Sequence, residues 1–453
     1  MQDFAAFFKT QTHHGVDFAR HYLHGLLQAK RDAKNIERMA EAVPDLTYHK
    51  TQQFISHSPW DHRPLMDAVA LEADGLLGGG PHSYLIFDDS AVAKKGAHSV
   101  GVARQYNGRL GKVDNCQIAV CASLAAGMTS TPVDVRLYLP KAWTDDPTRC
   151  RKAGVPGEEM LPRSKWELAL QSVAHLRALG VRFRGVGVDS GYGSVPEFLH
   201  QLDAMGECFI AEVHCNANVW LECPWLHHEG RRPGHPLKKA RASSAPVQVD
   251  EWAAAQADDA WRRLKVRDSD QGWVEVSYLA QRVWTCHEGV ESLRWLLVWD
   301  NPDEPGGERR RHYALSNAAA NLDPRHLVKQ GVQRGAIEQN FRDAKKELGM
   351  ADYQVRGWLG WHHHMSLVFL AMLFVLREKM HHPVPVGQAA VSAGDIVFVL
   401  EHYLPRRGFG PAEKQQVVDM LIKRRQQRTT DQTRRRAKTA RERPALWPDE
   451  EVT

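Results

Sequence analysis

The sequence of 453 residues predicts an α/β protein in which a sheet-forming region lies between helical segments. Short apolar runs typical of buried strands alternate with amphipathic helical patterns from about residue 83 to residue 213. Before residue 75 and after residue 325, apolar residues recur at helical spacing instead. A chain of this length is too long for one small core, so we expect two or three domains.

The N-terminal segment is predicted to be helical. Four of its apolar residues recur at the spacing of one helix face: Phe18, Tyr22, Leu23 and Leu26. The glycine-rich stretch Gly75–Pro81 interrupts this pattern and marks a boundary. We therefore expect a helical domain over residues 1–78.

The next region has the pattern of a sheet with helices packed on it. Its predicted strands are Ser83–Phe87, Cys116–Leu124, Val133–Leu139, Phe183–Val188 and Cys208–Val213. A helix over Lys165–Leu179 is capped by Ser164 and ended by Gly180, and a second helix is predicted near Val195–Met205. The order β-β-β-α-β-α-β, with acids at two strand ends, indicates a ribonuclease-H-like core beginning over residues 79–213, although order alone leaves several folds open.

The remainder of the chain divides into three parts. Residues 214–320 combine basic loops with strand-like runs and are predicted to form a β-rich insertion. Helical patterns over Arg325–Leu348 and His364–Met380 predict the helical remainder of the catalytic core in residues 321–385. The apolar run Met365–Leu376 is too short to span a bilayer and predicts a buried helix. Residues 386–453 are predicted to form C-terminal helices and a basic tail.

Positive charge is concentrated at the C-terminal end. The net charge is +5, but residues 423–443 alone contribute +8, which leaves −3 for the rest of the chain. Such a block suits the phosphate backbone of nucleic acid, and a solvated tail is the alternative. The seven cysteines are scattered without CxxC pairs, and no signal-peptide pattern begins the chain, so we expect a cytoplasmic protein without membrane contact.

Three acids are candidates for a metal site: Asp88 and Asp189, each after a predicted strand, and Glu338 in a predicted helix. Neighbouring strand ends can bring distant acids together at one edge of an open sheet. Clustered carboxylates raise one another's pKa unless a cation neutralises them. Mg²⁺ prefers oxygen ligands and leaves positions open for phosphate oxygens, and two such ions would serve phosphodiester displacement.

The helix around Glu338 carries basic residues on the same face. Arg334, Glu338, Arg342 and Lys345 are spaced so that all four fall on one stripe. Such a stripe could bind metal through its acid and phosphate through its bases. A salt-bridged solvent face has the same spacing, and spacing alone does not separate the two.

Three motifs resemble those of bacterial insertion-sequence transposases of the DDE superfamily. The first runs from Phe87-Asp88-Asp89-Ser90 through residues 94–106 to Gly111-Lys112 and Asn115-Cys116-Gln117. The second is Val188-Asp189-Ser190-Gly191-Tyr192-Gly193. The third is Ile337-Glu338-Gln339, followed by Lys345 and the stretch from Gly357-Trp358 to His362-His363-His364. The likeness extends from about Tyr22 to Leu376, which is most of the chain.

The resemblance implies a ribonuclease-H-like catalytic domain in which Asp88, Asp189 and Glu338 bind two Mg²⁺ ions, with Mn²⁺ able to substitute. The related Tyr-Arg-Glu-Lys motif assigns its Arg to Arg334 and its Lys to Lys345, while its Tyr falls on Gly331. Because neighbours along a strand face opposite sides, only one of Asp88 and Asp89 should face the metal, and the family pattern favours Asp88.

The implied activity is cleavage of DNA at the ends of a mobile element followed by joining to target DNA. Water attacks the phosphodiester at the element's end, and the freed 3′-OH then attacks the target. We expect DNA contacts from Arg334, Arg342, Lys345, Lys94, Lys95, Arg104 and Lys112. Family analogy implies a homodimer on DNA in the bacterial nucleoid, with residues 1–78 available to bind the element's ends. A nuclease of the same fold and a domesticated DNA-binding regulator are the alternatives.

Overall fold

The computed structural model describes most of the chain. The described residues are 2–9, 14–29, 34–108, 110–227, 241–269, 272–301, 310–382, 391–406, 419, 422–423, 425–434 and 437. The predicted basic tail after Lys423 therefore lies largely outside the described residues.

Fourteen helices and fourteen strands are named within these ranges. The α-helices are α1 Val16–Gln28, α2 Ile36–Ala42, α3 Tyr48–His57, α4 His62–Leu77, α5 Lys141–Thr144, α6 Pro147–Lys152, α7 Lys165–Leu179, α8 Ser190–Gly193, α9 Pro196–Ala204, α10 Val249–Ala254, α11 Pro324–Gln333, α12 Ala336–Glu347, α13 Trp358–His381 and α14 Ala393–Tyr403. The strands are β1 Ser83–Ala93, β2 Ala103–Asn107, β3 Lys112–Ala126, β4 Thr129–Leu137, β5 Val186–Val188, β6 Phe209–Glu212, β7 Asn218–Val219, β8 Leu226–His227, β9 Arg241–Ala242, β10 Val247–Gln248, β11 Arg262–Ser269, β12 Gly272–His287, β13 Val290–Asn301 and β14 Arg310–Ser316.

The described part of the chain is organised around one mixed ten-stranded sheet. Its order is β11-β12-β13-β14-β6-β5-β1-β3-β2, and β4 also pairs with β3. Strand β1 is antiparallel to β3 and parallel to β5, which is parallel to β6. The mixed α/β architecture predicted from the sequence is confirmed, and the strands of residues 262–316 continue the same sheet through the β14–β6 pair.

Helix α13 is the central helix of the core. Its residues from Trp358 to Leu373 are almost all buried, as the apolar run predicted. By length and composition α13 could cross a membrane, but 89% of its most apolar stretch is buried inside the protein. The N-terminal helices pack on it through histidine: His363 lies 2.8 Å from the carbonyl oxygens of both Ile55 and Trp60 through its two ring nitrogens.

Two predicted elements were wrong in their extent. Strand β1 continues to Ala93, so Asp88 and Asp89 lie inside it and not at its end. The cause is the long strand β3, whose residues from Cys116 to Ala126 pair with all of β1, including Cys121 with Asp88. The predicted helix Arg325–Leu348 is instead two helices, because α11 ends at Gln333 and α12 begins at Ala336.

Candidate functional site

The register of three neighbouring strands aligns three acids. Leu85 and Ile86 of β1 pair with Val186 and Gly187 of β5, so the same register brings Asp88 level with Asp189. Val188 of β5 pairs with Ala211 of β6, which brings Asp189 level with Glu212. Adjacent strands are about 4.8 Å apart, so these acids form a row across the sheet. The predicted proximity of Asp88 and Asp189 follows from this register.

Asp89 faces the opposite side of the sheet from Asp88, as alternation along a strand requires. One of its carboxylate oxygens accepts a hydrogen bond of 2.5 Å from the Tyr192 hydroxyl, and the other lies 2.6 Å from the Lys165 ammonium. Both oxygens are therefore engaged by neighbouring side chains, which supports Asp88 as the residue available to a metal.

Asp189 is held in place by the turn that follows it. Its carboxylate accepts hydrogen bonds from the backbone N–H groups of Gly191 and Tyr192, at 3.0 and 3.3 Å, and so caps the short helix α8. A Cβ atom on Gly193 would lie 2.0 Å from the carbonyl oxygen of Glu212. The motif thus needs glycine at position 193 so that α8 can pack directly against β6.

Two carboxyl groups of the row, those of Asp88 and Asp189, have raised pKa values. Burial, and then the charge of Asp189, raise the pKa of Asp88 to about 7, while the charge of Arg334 opposes the rise. Burial also raises the pKa of Asp189, again against the opposing charge of Arg334. Two half-buried acids whose charged forms are disfavoured would gain from a bound cation, so the donor set fits a divalent metal ion.

Arg334 is the cation that the row of acids surrounds. Its Nε atom lies 2.7 Å from Oε1 of Glu212, and its Nη2 atom lies 3.7 Å from Oε1 of Glu338. Burial lowers its pKa, but the charges of Glu212, Asp88 and Glu338 together raise it above its usual value. Glu212 is supported in turn by His312, whose Nδ1 lies 3.6 Å from its second carboxylate oxygen. Arg334 thus links the strand acids to α12.

Glu338 lies beside this row but outside it. Its side chain is 55% exposed and faces Arg334. Lys345, two helix turns later, reaches the carbonyl oxygen of Ala91 at 3.2 Å, so α12 lies along β1. Arg334 interacts electrostatically with both Asp88 and Glu338, so α12 begins near Asp88. Among the described residues, no three acids, histidines or cysteines are close enough to share a metal ion.

The raised pKa of Asp88 predicts that its charge destabilises the metal-free protein. A carboxyl with a higher pKa in the folded state binds more protons when folded, so stability falls as pH rises from about 4 to about 7. Above pH 7 and without divalent ions, Asp88→Asn should therefore melt at a higher temperature than wild type, by about 1 °C per kcal/mol of repulsion removed, since the unfolding entropy is roughly 2.1 cal/mol/K per residue. The gain should vanish below pH 4. Calorimetric melting curves across pH check this, and parallel curves for both proteins would contradict it.

The departure from the Tyr-Arg-Glu-Lys motif at Gly331 has a steric cause. A Cβ atom on Gly331 would lie 2.8 Å from the Trp299 ring, which is only 2% exposed. The Trp299 ring also stacks on His312 at 5.3 Å between centroids, with 4° between the ring planes. The indole therefore fills the space into which a side chain at position 331 would extend.

Because of this packing, Gly331→Tyr is expected to destabilise the fold by about 1–3 kcal/mol, the usual range for overpacking a core. The matched control is His326→Tyr, at an exposed position of the same helix. Thermal unfolding of both variants checks the prediction, which fails if the two substitutions lower the melting temperature equally.

The residues predicted to contact DNA have different surroundings. Lys95, Arg104, Lys112 and Arg342 are exposed. Lys94 is engaged inside the protein: its ammonium lies 3.1 Å from the Tyr353 carbonyl oxygen and 3.4 Å from the centre of that ring, and burial lowers its pKa to about 8. DNA contact by these residues stays a prediction, and for Lys94 it requires that these contacts break.

Sequence reasoning missed two residues. Glu212 lies within the predicted strand Cys208–Val213, but only the register of three strands shows that it extends the row of acids. Trp225 is 79% exposed, whereas Trp295 and Trp299 are buried.

Comparisons with known proteins identify the family of the chain. The family described as DDE superfamily endonuclease matches residues 3–272, a range that contains Asp88 and Asp189 and ends before Glu338. The probable transposase for insertion sequence element IS701 of Microchaete diplosiphon is 30% identical over 200 residues, which are 44% of this chain. The chain spans about half the length of that relative, 49%. Because the family match covers more than half of the chain, the protein belongs to the DDE superfamily of endonucleases.

Proposed function

We propose that this protein is the transposase of an insertion element, which cleaves DNA at the element's ends and joins those ends to a target. The observation that carries the proposal is the pair of half-buried acids, Asp88 and Asp189, held level on adjacent parallel strands with Arg334 beside them. The similarity to a probable insertion-sequence transposase supports the same function.

The strand order supports a ribonuclease-H-like core. Taken without the hairpin strand β2, the first five strands of the sheet lie in the order β4-β3-β1-β5-β6. The first three are antiparallel, and the last two run parallel to β1. Counted along the chain without β2, Asp88 lies on the first strand of this core, β1, and Asp189 directly follows the fourth, β5. These two strands are neighbours in the sheet.

DDE endonucleases generally use divalent metal ions, and we propose two Mg²⁺ ions here, with Mn²⁺ able to replace them. Asp88 and Asp189 would hold them from the sheet, and Glu338 would complete the site from α12 once its carboxylate leaves Arg334. The ions, when bound, would stabilise negative charge on the attacking and leaving oxygens.

The basic side chains near the acids would bind different parts of the DNA backbone. Arg334, freed from Glu338 but still held by Glu212, would direct its remaining N–H groups to a phosphate oxygen. Lys345 and Arg342 on the following turns of α12 would contact the flanking backbone. Residues 1–78 would bind the element's ends. A homodimer would hold two ends together, and it would act in the bacterial nucleoid.

The decisive experiment uses a duplex carrying the termini of the element that encodes this chain, with and without Mg²⁺. Wild type should nick the duplex only with the metal and should join a 3′-OH donor to a plasmid, whereas Glu338→Gln should do neither. Nicks without joined products would favour a nuclease of the same fold. Binding to the termini that survives Asp189→Asn with undiminished cellular function would favour a regulator.

A further inference from the structure

A basic surface next to the catalytic sheet has, apart from Lys95, no role assigned by the family match or by the motifs. It is formed by three segments: the loop that follows β1, the helices α5 and α6, and the segment that precedes α13. Its exposed basic residues are Lys95, Lys141, Arg151, Lys152 and Arg356. None of these five forms an ion pair with another residue in the described ranges. We call these residues the basic platform.

Direct contacts bring the three segments together. The guanidinium of Arg149 donates to the carbonyl oxygen of Ala97 at 2.8 Å, which joins α6 to the loop. The backbone N–H of Val100 donates to the carbonyl of Arg356 at 2.9 Å, and that of Trp358 donates to the carbonyl of Ala153 at 2.8 Å. Lys95, Lys152 and Arg356 are each within two residues of one of these contacts.

The loop within the platform is fixed by side chains of the sheet and of α5. Asn115 donates to the carbonyl of Gly96 at 3.1 Å, Gln117 to that of Val100 at 2.6 Å, and Trp143 to that of Val102 at 2.8 Å. A loop held in this way presents its charges with little loss of entropy on binding. It also begins at the end of β1, and Ala93 is about 16 Å along that strand from Asp88.

The charge and scale of the platform fit duplex DNA. Five cations match an array of phosphates, and 16 Å corresponds to roughly five base-pair steps from the site of chemistry. Helices α5 and α6 have only four and six residues, too short to lie in a major groove and read several bases. Contacts to phosphates fix position without reading sequence. Sequence-tolerant binding suits the DNA that receives an insertion.

We infer that the basic platform binds the phosphate backbone of target DNA during strand transfer. The assignment of the bound DNA as target DNA rests on the proposed function, whereas the binding of DNA by the basic platform does not. The surface is separate from the acids and from Arg334, so its loss should leave cleavage of the element's ends intact.

The test removes four charges in the variant Lys141→Gln, Arg151→Gln, Lys152→Gln, Arg356→Gln. The matched control removes four exposed charges elsewhere: Arg262→Gln, Arg263→Gln, Lys265→Gln, Arg325→Gln. Affinity for a fluorescein-labelled duplex of arbitrary sequence is measured against salt concentration. The platform variant should bind on the order of 10–100-fold more weakly at low salt, with a salt slope smaller by about 3–4, while the control changes little.

A second measurement separates target from end binding. The platform variant should cleave a duplex carrying the element's termini at the wild-type rate but join it poorly to a plasmid. Unchanged affinity for the arbitrary duplex, an equal loss in the control, or a parallel fall in end cleavage would overturn the inference. If wild type neither cleaves nor joins, the proposed function fails, whereas the binding measurement still decides whether the platform holds DNA.

Discussion

Replacing Asp189 or Asp88 by Asn is expected to reduce Mg²⁺-dependent DNA cleavage by at least about 10³-fold. Metal-assisted displacement contributes several kcal/mol of transition-state stabilisation, and each 1.4 kcal/mol is a factor of ten. Either substitution removes one negative charge from the pair of acids that the β1–β5 register aligns and that we propose as metal ligands. Gel assays of single-strand nicking with the element's termini measure the loss.

The control for this loss is a substitution of the same type on the same sheet. Asp114 is a partly exposed residue of β3 whose carboxylate accepts a hydrogen bond from the next backbone N–H. Asp114→Asn should cleave at nearly the wild-type rate. DNA binding by Asp88→Asn and Asp189→Asn should persist, because the acids themselves repel phosphate. Residual nicking within tenfold of wild type in both variants would show that the chemistry occurs elsewhere.

The sequence predicted the two strand acids because buried strands have a strong local pattern. The runs Tyr84–Phe87 and Gly185–Val188, which directly precede Asp88 and Asp189, are apolar. Parallel strand ends meet at one edge of a sheet. The mixed α/β class and the buried helix around Met365–Leu376 could be predicted from the same kind of pattern. These features depend on residues close together in the chain.

The features that could not be predicted depend on pairing between distant residues. Strand β1 continues through Asp88 and Asp89 because a long β3 pairs with it, although polar residues there resemble the start of a loop. The pair between Glu212 and Arg334 joins residues 122 positions apart. Likewise, only the position of Trp299 explains why residue 331 is glycine.

A second large effect is expected from the hydroxyl of Tyr192. The Tyr192–Asp89 hydrogen bond joins the turn after Asp189 to the strand that carries Asp88, and Lys165 holds the same carboxylate from α7. Because Asp88 and Asp89 are consecutive, this contact fixes the spacing between Asp88 and Asp189 from the opposite face of the sheet. Groups that orient metal ligands typically contribute 10–100-fold in metal affinity or activity.

Tyr192→Phe should therefore raise the Mg²⁺ concentration needed for half-maximal cleavage by about 10–100-fold, with partial recovery in Mn²⁺. Tyr22→Phe is the matched control, since it removes another buried hydroxyl bond, to His364 at 2.8 Å, far from the acids along the chain. A purely structural role would lower the melting temperature of both variants and leave the metal dependence of the folded enzyme unchanged. Lys165→Arg should retain most of the activity and Lys165→Met should not, because a guanidinium can replace the ammonium that pairs with the Asp89 carboxylate and a thioether cannot.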